Sequence, residues 1–290
     1  MPDPLVVTPA GLRDWPLPDP GSDKESRGQL LVVGGTQHTT GAARLAGEAA
    51  LRAGAGKLAV VTVERGADSL AVSLPEAQVI GLPGDPESLS PAAAEAVVGR
   101  AAAAHVVLVG PGFADPAASV ALLERVLPRL RCPLVVDALG SAYLTEHPQG
   151  LHHLEGSVVL TVNPEELAHT AGDEPDQVAR DPLPAARRVA DRARVVVVCG
   201  GTRKHVVTPS GDAWVVEGGG PGLGVSGSGD VQAGIVAGLL ARCADPAQAG
   251  VWGAYVHARA GERLAADVGT VGFLARELPG QVPAVLSELH

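Results

Sequence analysis

The sequence predicts an α/β chain. A mostly parallel central sheet is covered by helices on both faces, with an antiparallel hairpin at one edge. Three observations predict this. From Gly28 onward, short β-branched runs alternate with Ala-rich stretches of helical length. The runs are continuously apolar, so both faces of each strand are expected to be covered. Near residue 204 the rhythm changes to two short strands around a turn, which reads as a hairpin.

In chain order, residues 1–28 are rich in Pro, Asp and Gly. They are expected to form an N-terminal arm that wraps the domain or joins an oligomer contact. Strands are predicted at 30–35 (LLVVGG), 57–63 (KLAVVTV), 105–112 (HVVLVGPG), 133–138 (PLVVDA), 157–164 (SVVLTVNP) and 194–201 (RVVVVCGG). Between them lie helix candidates at 41–54, 91–103, 116–129, 165–171 and 183–193. The hairpin occupies 204–217, KHVVTPSGDAWVVEG up to its last glycine. After Asp230 helices are expected at 230–242, 246–266, 270–278 and 281–288. With no repeat, low-complexity tract or linker, residues 29–290 read as a single domain.

Composition narrows the function. Hydrophobic residues make up 46% of the 290 and charged residues 19%, enough for a large core. Aromatics are only 2%, so the core must be Ala, Val and Leu, and stacking platforms for single-stranded nucleic acid are not expected. The formal charge of −10 disfavours general binding to nucleic acid or an anionic membrane, so any phosphate site must be local. The three cysteines, Cys132, Cys199 and Cys243, show no CxxC spacing, which argues against a disulfide framework or zinc site and fits a reducing cytosol. The N-terminal segment lacks a basic region followed by an apolar one. No apolar run reaches the roughly 18 residues of a membrane span. A soluble cytoplasmic protein is expected.

In open parallel sheets ligands collect at the carboxyl ends of the strands. Here those ends read GGTQHTTGAA, GPGFADP, DALGSAYL, NPEEL and GGTRK, followed by GVSGSGDVQAGIVAGLL at 224–240. Glycines let the backbone turn its N–H groups inward around an anion. The helix starting near Gly229 adds free N–H groups and the positive end of its dipole. Together they suit phosphate oxygens. Asp230 is then either an N-cap or a base acting on a substrate hydroxyl beside that phosphate. The spacing is neither a Walker A loop nor GxGxxG.

At this point the residues resemble a known family. GSGDVQAGIVAGLL is similar to the signature of the ribokinase-like superfamily. More closely, the chain resembles the ADP-dependent NAD(P)H-hydrate dehydratases, from about Gly28 to Val282. Eight blocks follow in the family's order: the segment 30–63, SLPEAQV, VGPGF, VVDAL, NPEEL, CGGT, GSGD and YVHARAGERLA. The resemblance implies a ribokinase-like three-layer sandwich. It also implies repair of hydrated NADH and NADPH, a hydroxyl being phosphorylated from ADP (or ATP) before phosphate leaves. By matching position, Asp230 would be the base facing the hydroxyl. Gly227 and the backbone of Ser228 and Gly229 would hold the transferring phosphate. Cys199, Gly200, Gly201, Thr202 and Arg203 would line the nucleotide's phosphates and ribose. Ala43, Gly112 and Asn163 would touch the hydrated dinucleotide, together with Asp230. Mg²⁺ would offset phosphate charge, with Glu166 a candidate for its water shell. A homotetramer is also implied.

The chain departs from the family pattern in three places. The family commonly has DADAL, where this chain keeps Asp137 but not the second Asp. It has HPGE where this chain reads NPEE, so Asn163 replaces a histidine. It has a lysine where this chain has Cys199, a loss of charge that Arg203 or Lys204 is placed to offset. Two alternatives therefore stand beside the dehydratase. One is a ribokinase-like kinase of a small hydroxylated substrate; the other is a catalytically weakened nucleotide-binding paralogue. Asp137 reads equally as a Mg²⁺ ligand or a cap. The nine histidines show no HxxxH spacing, and His257 reads as packing. Trp15, Trp214 and Trp252 read as packing too.

Overall fold

The computed structural model describes residues 3–289. Its strands are β1 (Leu5–Val6), β2 (Gln29–Val33), β3 (Lys57–Val63), β4 (Ala77–Leu82), β5 (Val106–Val109), β6 (Leu134–Asp137), β7 (Val158–Val162), β8 (Val196–Cys199), β9 (Arg203–Val207) and β10 (Ala213–Glu217). They form one sheet in the order β1-β10-β9-β8-β7-β6-β5-β2-β3-β4. Pairings from β8 through β4 are parallel, whereas β8–β9 and β9–β10 are antiparallel. The expected hairpin is therefore present, and β1 adds in parallel outside it.

The helices are α1 (Pro9–Arg13), α2 (Thr40–Ala53), α3 (Glu64–Ser73), α4 (Ala94–Ala101), α5 (Pro116–Val126), α6 (Ala142–Glu146), α7 (Pro164–Ala171), α8 (Pro175–Arg180), α9 (Leu183–Ala193), α10 (Ser228–Ala241), α11 (Pro246–Asp267) and α12 (Leu278–Ser287). Apolar strands feed two cores. On β2, Leu30 and Val32 point to the core holding α2, α10 and α11, while Leu31 and Val33 point to the one holding α4, α5 and α9. That division is what a continuous apolar strand, buried on both faces, requires.

Helix α10 is the centre of the first layer. Twelve of its 14 residues are buried, so it is apolar all round and amphipathic on no face. It meets α2 backbone to backbone. A Cβ on Gly234 would lie 2.2 Å from the Ala46 carbonyl oxygen, and one on Gly238 2.4 Å from that of Ala50. Only glycine permits that approach.

Residues 3–28 are tied to this layer. Leu12 and Leu17 are buried in the core. Trp15 stacks on Trp214 with centroids 5.8 Å apart, and the Trp252 indole N–H donates to the Trp15 carbonyl at 3.0 Å.

Two corrections concern the C-terminal part and the elements outside the main rhythm. The helix expected at 270–278 is absent. Gly269 and Gly272 take φ of +141° and +104°, and only a short 3₁₀ turn at Ala275–Glu277 precedes α12. The pattern also fails to predict β1, β4, α1, α3, α6 and α8. Edge strand β4 carries Gln78 and Gly81 among its apolar residues and is only half-buried, so it lacks the continuous signal of the inner strands. No helix among the described residues is long and apolar enough to cross a membrane.

Candidate active site

The carboxyl ends of β6, β7 and β8 and the N-terminus of α10 border one cavity of about 800 Å³. The α10 mouth comes first. Gly227 takes φ of +91° as the N-cap, a conformation natural to glycine, and brings no capping side chain. The Ser228 N–H donates to the Val225 carbonyl at 3.1 Å, so it is already engaged. The Gly229 N–H has no protein acceptor among the described residues. Of the two amides expected to hold phosphate, that of Gly229 is the open one. Ser228 instead contributes its hydroxyl, 3.0 Å from His257 Nε2.

Asp230, in the first turn of α10, lines the cavity. Burial, then the nearby charge of Glu166, lifts its carboxyl to about 6. Asp137, at the end of β6, is buried and accepts from the Thr161 hydroxyl at 2.7 Å. Burial and then the charge of Asp230 push its carboxyl well above the usual range. The next residue, Ala138, takes φ of +48°, a left-handed conformation that costs a non-glycine residue roughly 1–2 kcal/mol. The chain thus accepts strain where Asp137 turns into the site.

Across the cavity, α7 begins with a complete capping box. Asn163 Oδ1 accepts from the Glu166 N–H, and Glu166 Oε2 accepts from the Asn163 N–H, both at 2.9 Å. The Asn163 side-chain NH₂ is left to donate elsewhere. Glu166 is itself raised, mainly by burial.

The β8–β9 turn supplies a further wall. Gly200, Gly201 and Thr202 line the cavity. Cys199 and Arg203, expected with them, do not. Cys199 is wholly buried on the opposite core face, its thiol pushed up by burial. Arg203 is exposed and pairs with Glu217 at 3.0 Å. The strand period of two turns the next residue, Lys204, inward onto the cavity wall. His257, from α11, lies there too. Lys204 was only a candidate charge in the sequence, and His257 read as packing. The signal for Lys204 was its alternation with Val206 on one face of β9; His257 left none, because its partner Ser228 is 29 residues away.

Ala43 and Gly112 stand outside this cavity wall. Both lie beside Gly35 in the β2–α2 loop: an added Cβ on Gly35 would touch Ala43 Cβ at 3.5 Å, and one on Gly112 would lie 3.2 Å from Gly35 Cα. The Thr39 hydroxyl donates to the Gly112 carbonyl at 2.5 Å. The candidate residues therefore fall into two groups, one at the α10 mouth and one at the start of α2.

The model of the NAD(P)H-hydrate dehydratase family matches residues 30–283. The chain belongs to the NAD(P)H-hydrate dehydratase family. Among relatives of that family, it is 43% identical over 284 residues to the ADP-dependent (S)-NAD(P)H-hydrate dehydratase of Xanthomonas campestris, covering 98% of this chain and 96% of the relative. It is 36% identical to a bifunctional NAD(P)H-hydrate repair enzyme of Moorella thermoacetica, spanning 91% of this chain but only 50% of that protein. The ADP/ATP-dependent NAD(P)H-hydrate dehydratase of Bacillus subtilis, co-crystallised with ATP and Mg²⁺, superposes with a TM-score of 0.81 at 25% identity, covering 99% of each chain. A ribokinase-like protein of Enterococcus faecalis gives 0.82 at 23% identity over 98% of this chain and 96% of its own, which shows the fold alone.

Against the dehydratase family's pattern, the departure at Asn163 has a local reason. Asn is among the best N-caps, and paired with Glu166 it closes the α7 start.

Metal chemistry is a matter of fit. No group of three or more metal-ligating side chains is close enough to cage an ion among the described residues. Yet Asp137, Glu166 and Asp230 share the cavity, and the charges of Glu166 and Asp230 add to the burial that lifts Asp137. Hard oxygens under such mutual repulsion suit Mg²⁺ held through its own waters.

Proposed function

We propose that this chain dehydrates hydrated NADH or NADPH at the expense of ADP or ATP. The carrying observation is that Asp230, the open Gly229 N–H and the Gly200–Thr202 turn share one cavity. Asp230 accepts the proton of the substrate's ring hydroxyl as its oxygen attacks the nucleotide's terminal phosphorus. The bridging P–O bond breaks, and the nucleotide leaves one phosphate shorter. The Gly229 N–H and the α10 dipole receive the negative charge spread over the transferring group. Phosphate then departs with the electrons of the C–O bond, and a proton is lost from the adjacent ring carbon, restoring the double bond. Phosphate leaves far more readily than hydroxide, which is why a nucleotide is consumed. Positioning and charge neutralisation suffice for such a transfer.

Asp137 and Glu166 are the residues that would hold the water shell of Mg²⁺, which when bound offsets phosphate charge. Ala43, Gly112 and the Asn163 NH₂ are assigned to the hydrated dinucleotide, and Gly200, Gly201 and Thr202 to the nucleotide. A homotetramer and a cytoplasmic location belong to the same reading. Leu5 and Val6, 65% and 55% exposed on β1, offer apolar surface for subunit contact.

The deciding assay mixes protein, Mg²⁺ and ADP or ATP with hydrated NADH and follows the return of reduced-nicotinamide absorbance. Recovery that disappears in Asp230→Asn supports the reading. Bound nucleotide without recovery on either hydrate would overturn it.

A further inference from the structure

We propose, on the dehydratase reading given above, that the Lys204 ammonium on β9 pairs with the phosphate groups of the bound nucleotide. Lys204 is one of only three lysines in the chain. It is 3% exposed, and what surface it keeps lies on the cavity wall. Among the described residues its ammonium has neither a hydrogen bond nor a carboxylate partner. A buried, unpaired ammonium is expensive, and such groups are ordinarily paired or expelled.

The surrounding groups do not relieve it. Cys199 on β8 keeps its proton, since burial raises its thiol. His257 on α11 is held neutral, first by burial and then by the Lys204 charge itself. Its Nε2 is occupied by the Ser228 hydroxyl, and its Nδ1 has no partner. Arg203, the neighbouring cation, points to solvent and is spent on Glu217. Burial has accordingly drawn the Lys204 amine down to about 8. An entering phosphate meets three features in one cavity: this ammonium, the open Gly229 N–H and the glycine turn at Gly200. Charge-assisted pairing there would restore the ammonium's usual state.

The test is calorimetric titration of the whole protein with ADP and with adenosine, which shares the base and ribose but carries no phosphate. Lys204→Met keeps the length of the side chain and removes its charge. In Lys204→Met, ADP affinity is expected to fall about 10- to 100-fold while adenosine affinity stays within about twofold. Lys204→Arg should retain most of the ADP affinity. Circular dichroism melting confirms the fold, and Lys204→Gln serves as the second uncharged variant if Lys204→Met melts early. Equal loss of ADP and adenosine would make Lys204 a packing residue and overturn the proposal. Unchanged ADP affinity would overturn it while leaving the nucleotide site intact. Failure of the unmutated protein to bind ADP or ATP would overturn both readings together.

Discussion

Two helix N-termini face the same cavity, and the chain treats them in opposite ways. At α7 the amides are closed by the chain's own side chains, Asn163 and Glu166 bonding reciprocally. At α10 the N-cap is Gly227, which brings no side chain, and the Gly229 N–H has no acceptor among the described residues. A helix start costs stability when its donors are left open. Where a sequence spends good capping residues, it is building structure. Where it withholds them beside an acid, it leaves the donors open.

Substitutions can break that contrast, beginning with the largest effect. Asp230→Asn should lower kcat by about 10²- to 10⁴-fold, as loss of a general base does. Its pH behaviour follows from the raised carboxyl. The base is charged only above about pH 6, so kcat/KM of the unmutated protein should fall as pH drops through that value. Stability runs the other way. A buried carboxyl lifted from 3.8 to about 6 costs nothing below the lower value, and costs up to about 3 kcal/mol above the higher one. Asp230→Asn escapes that cost and should melt higher than the unmutated protein at pH 8. A lower melting temperature there would show the carboxylate to be a structural cap.

Gly227→Ala comes next. The new Cβ would sit at φ +91° and 2.5 Å from Leu45 Cδ1. A loss of about 1–3 kcal/mol in chemical denaturation is expected. ADP affinity should drop with it, because the α10 mouth must shift. Asn163→Ala should cost about 1 kcal/mol of stability with kcat preserved, as removal of an N-cap does. KM for the hydrate should rise with it, since the Asn163 NH₂ is assigned to that substrate; an unchanged KM would leave Asn163 a cap alone. Arg203→Ala should matter least: an exposed pair is worth at most about 1 kcal/mol, and ADP affinity should not change.

The sheet was legible because its inner strands are unbroken Val and Leu runs, a pattern that only two-sided burial explains. Strand β4, half-buried, and the exposed two-residue β1 carry no such signature. The predicted 270–278 helix failed because its composition is apolar while Gly269 and Gly272 hold the chain out of helical geometry. In the site, the backbone features were readable: glycines and acids at strand ends announce turns and helix starts wherever they occur. Side-chain direction was not. Lys204 and Arg203 are adjacent cations, and only the pairing of Lys204 with Val216 and of Arg203 with Glu217 decides which one enters the cavity. Likewise, nothing local told that Ser228 would spend its N–H on Val225 and its hydroxyl on His257.

The glycine contact between α2 and α10 has a mechanical meaning. With Gly234 against Ala46 and Gly238 against Ala50, no side chain lies between the two rods to act as a cushion. One rod carries Ala43 near its start, and the other carries Asp230 in its first turn. The two groups of candidate residues are therefore bolted to a common strut, and the distance between them is fixed before any ligand arrives.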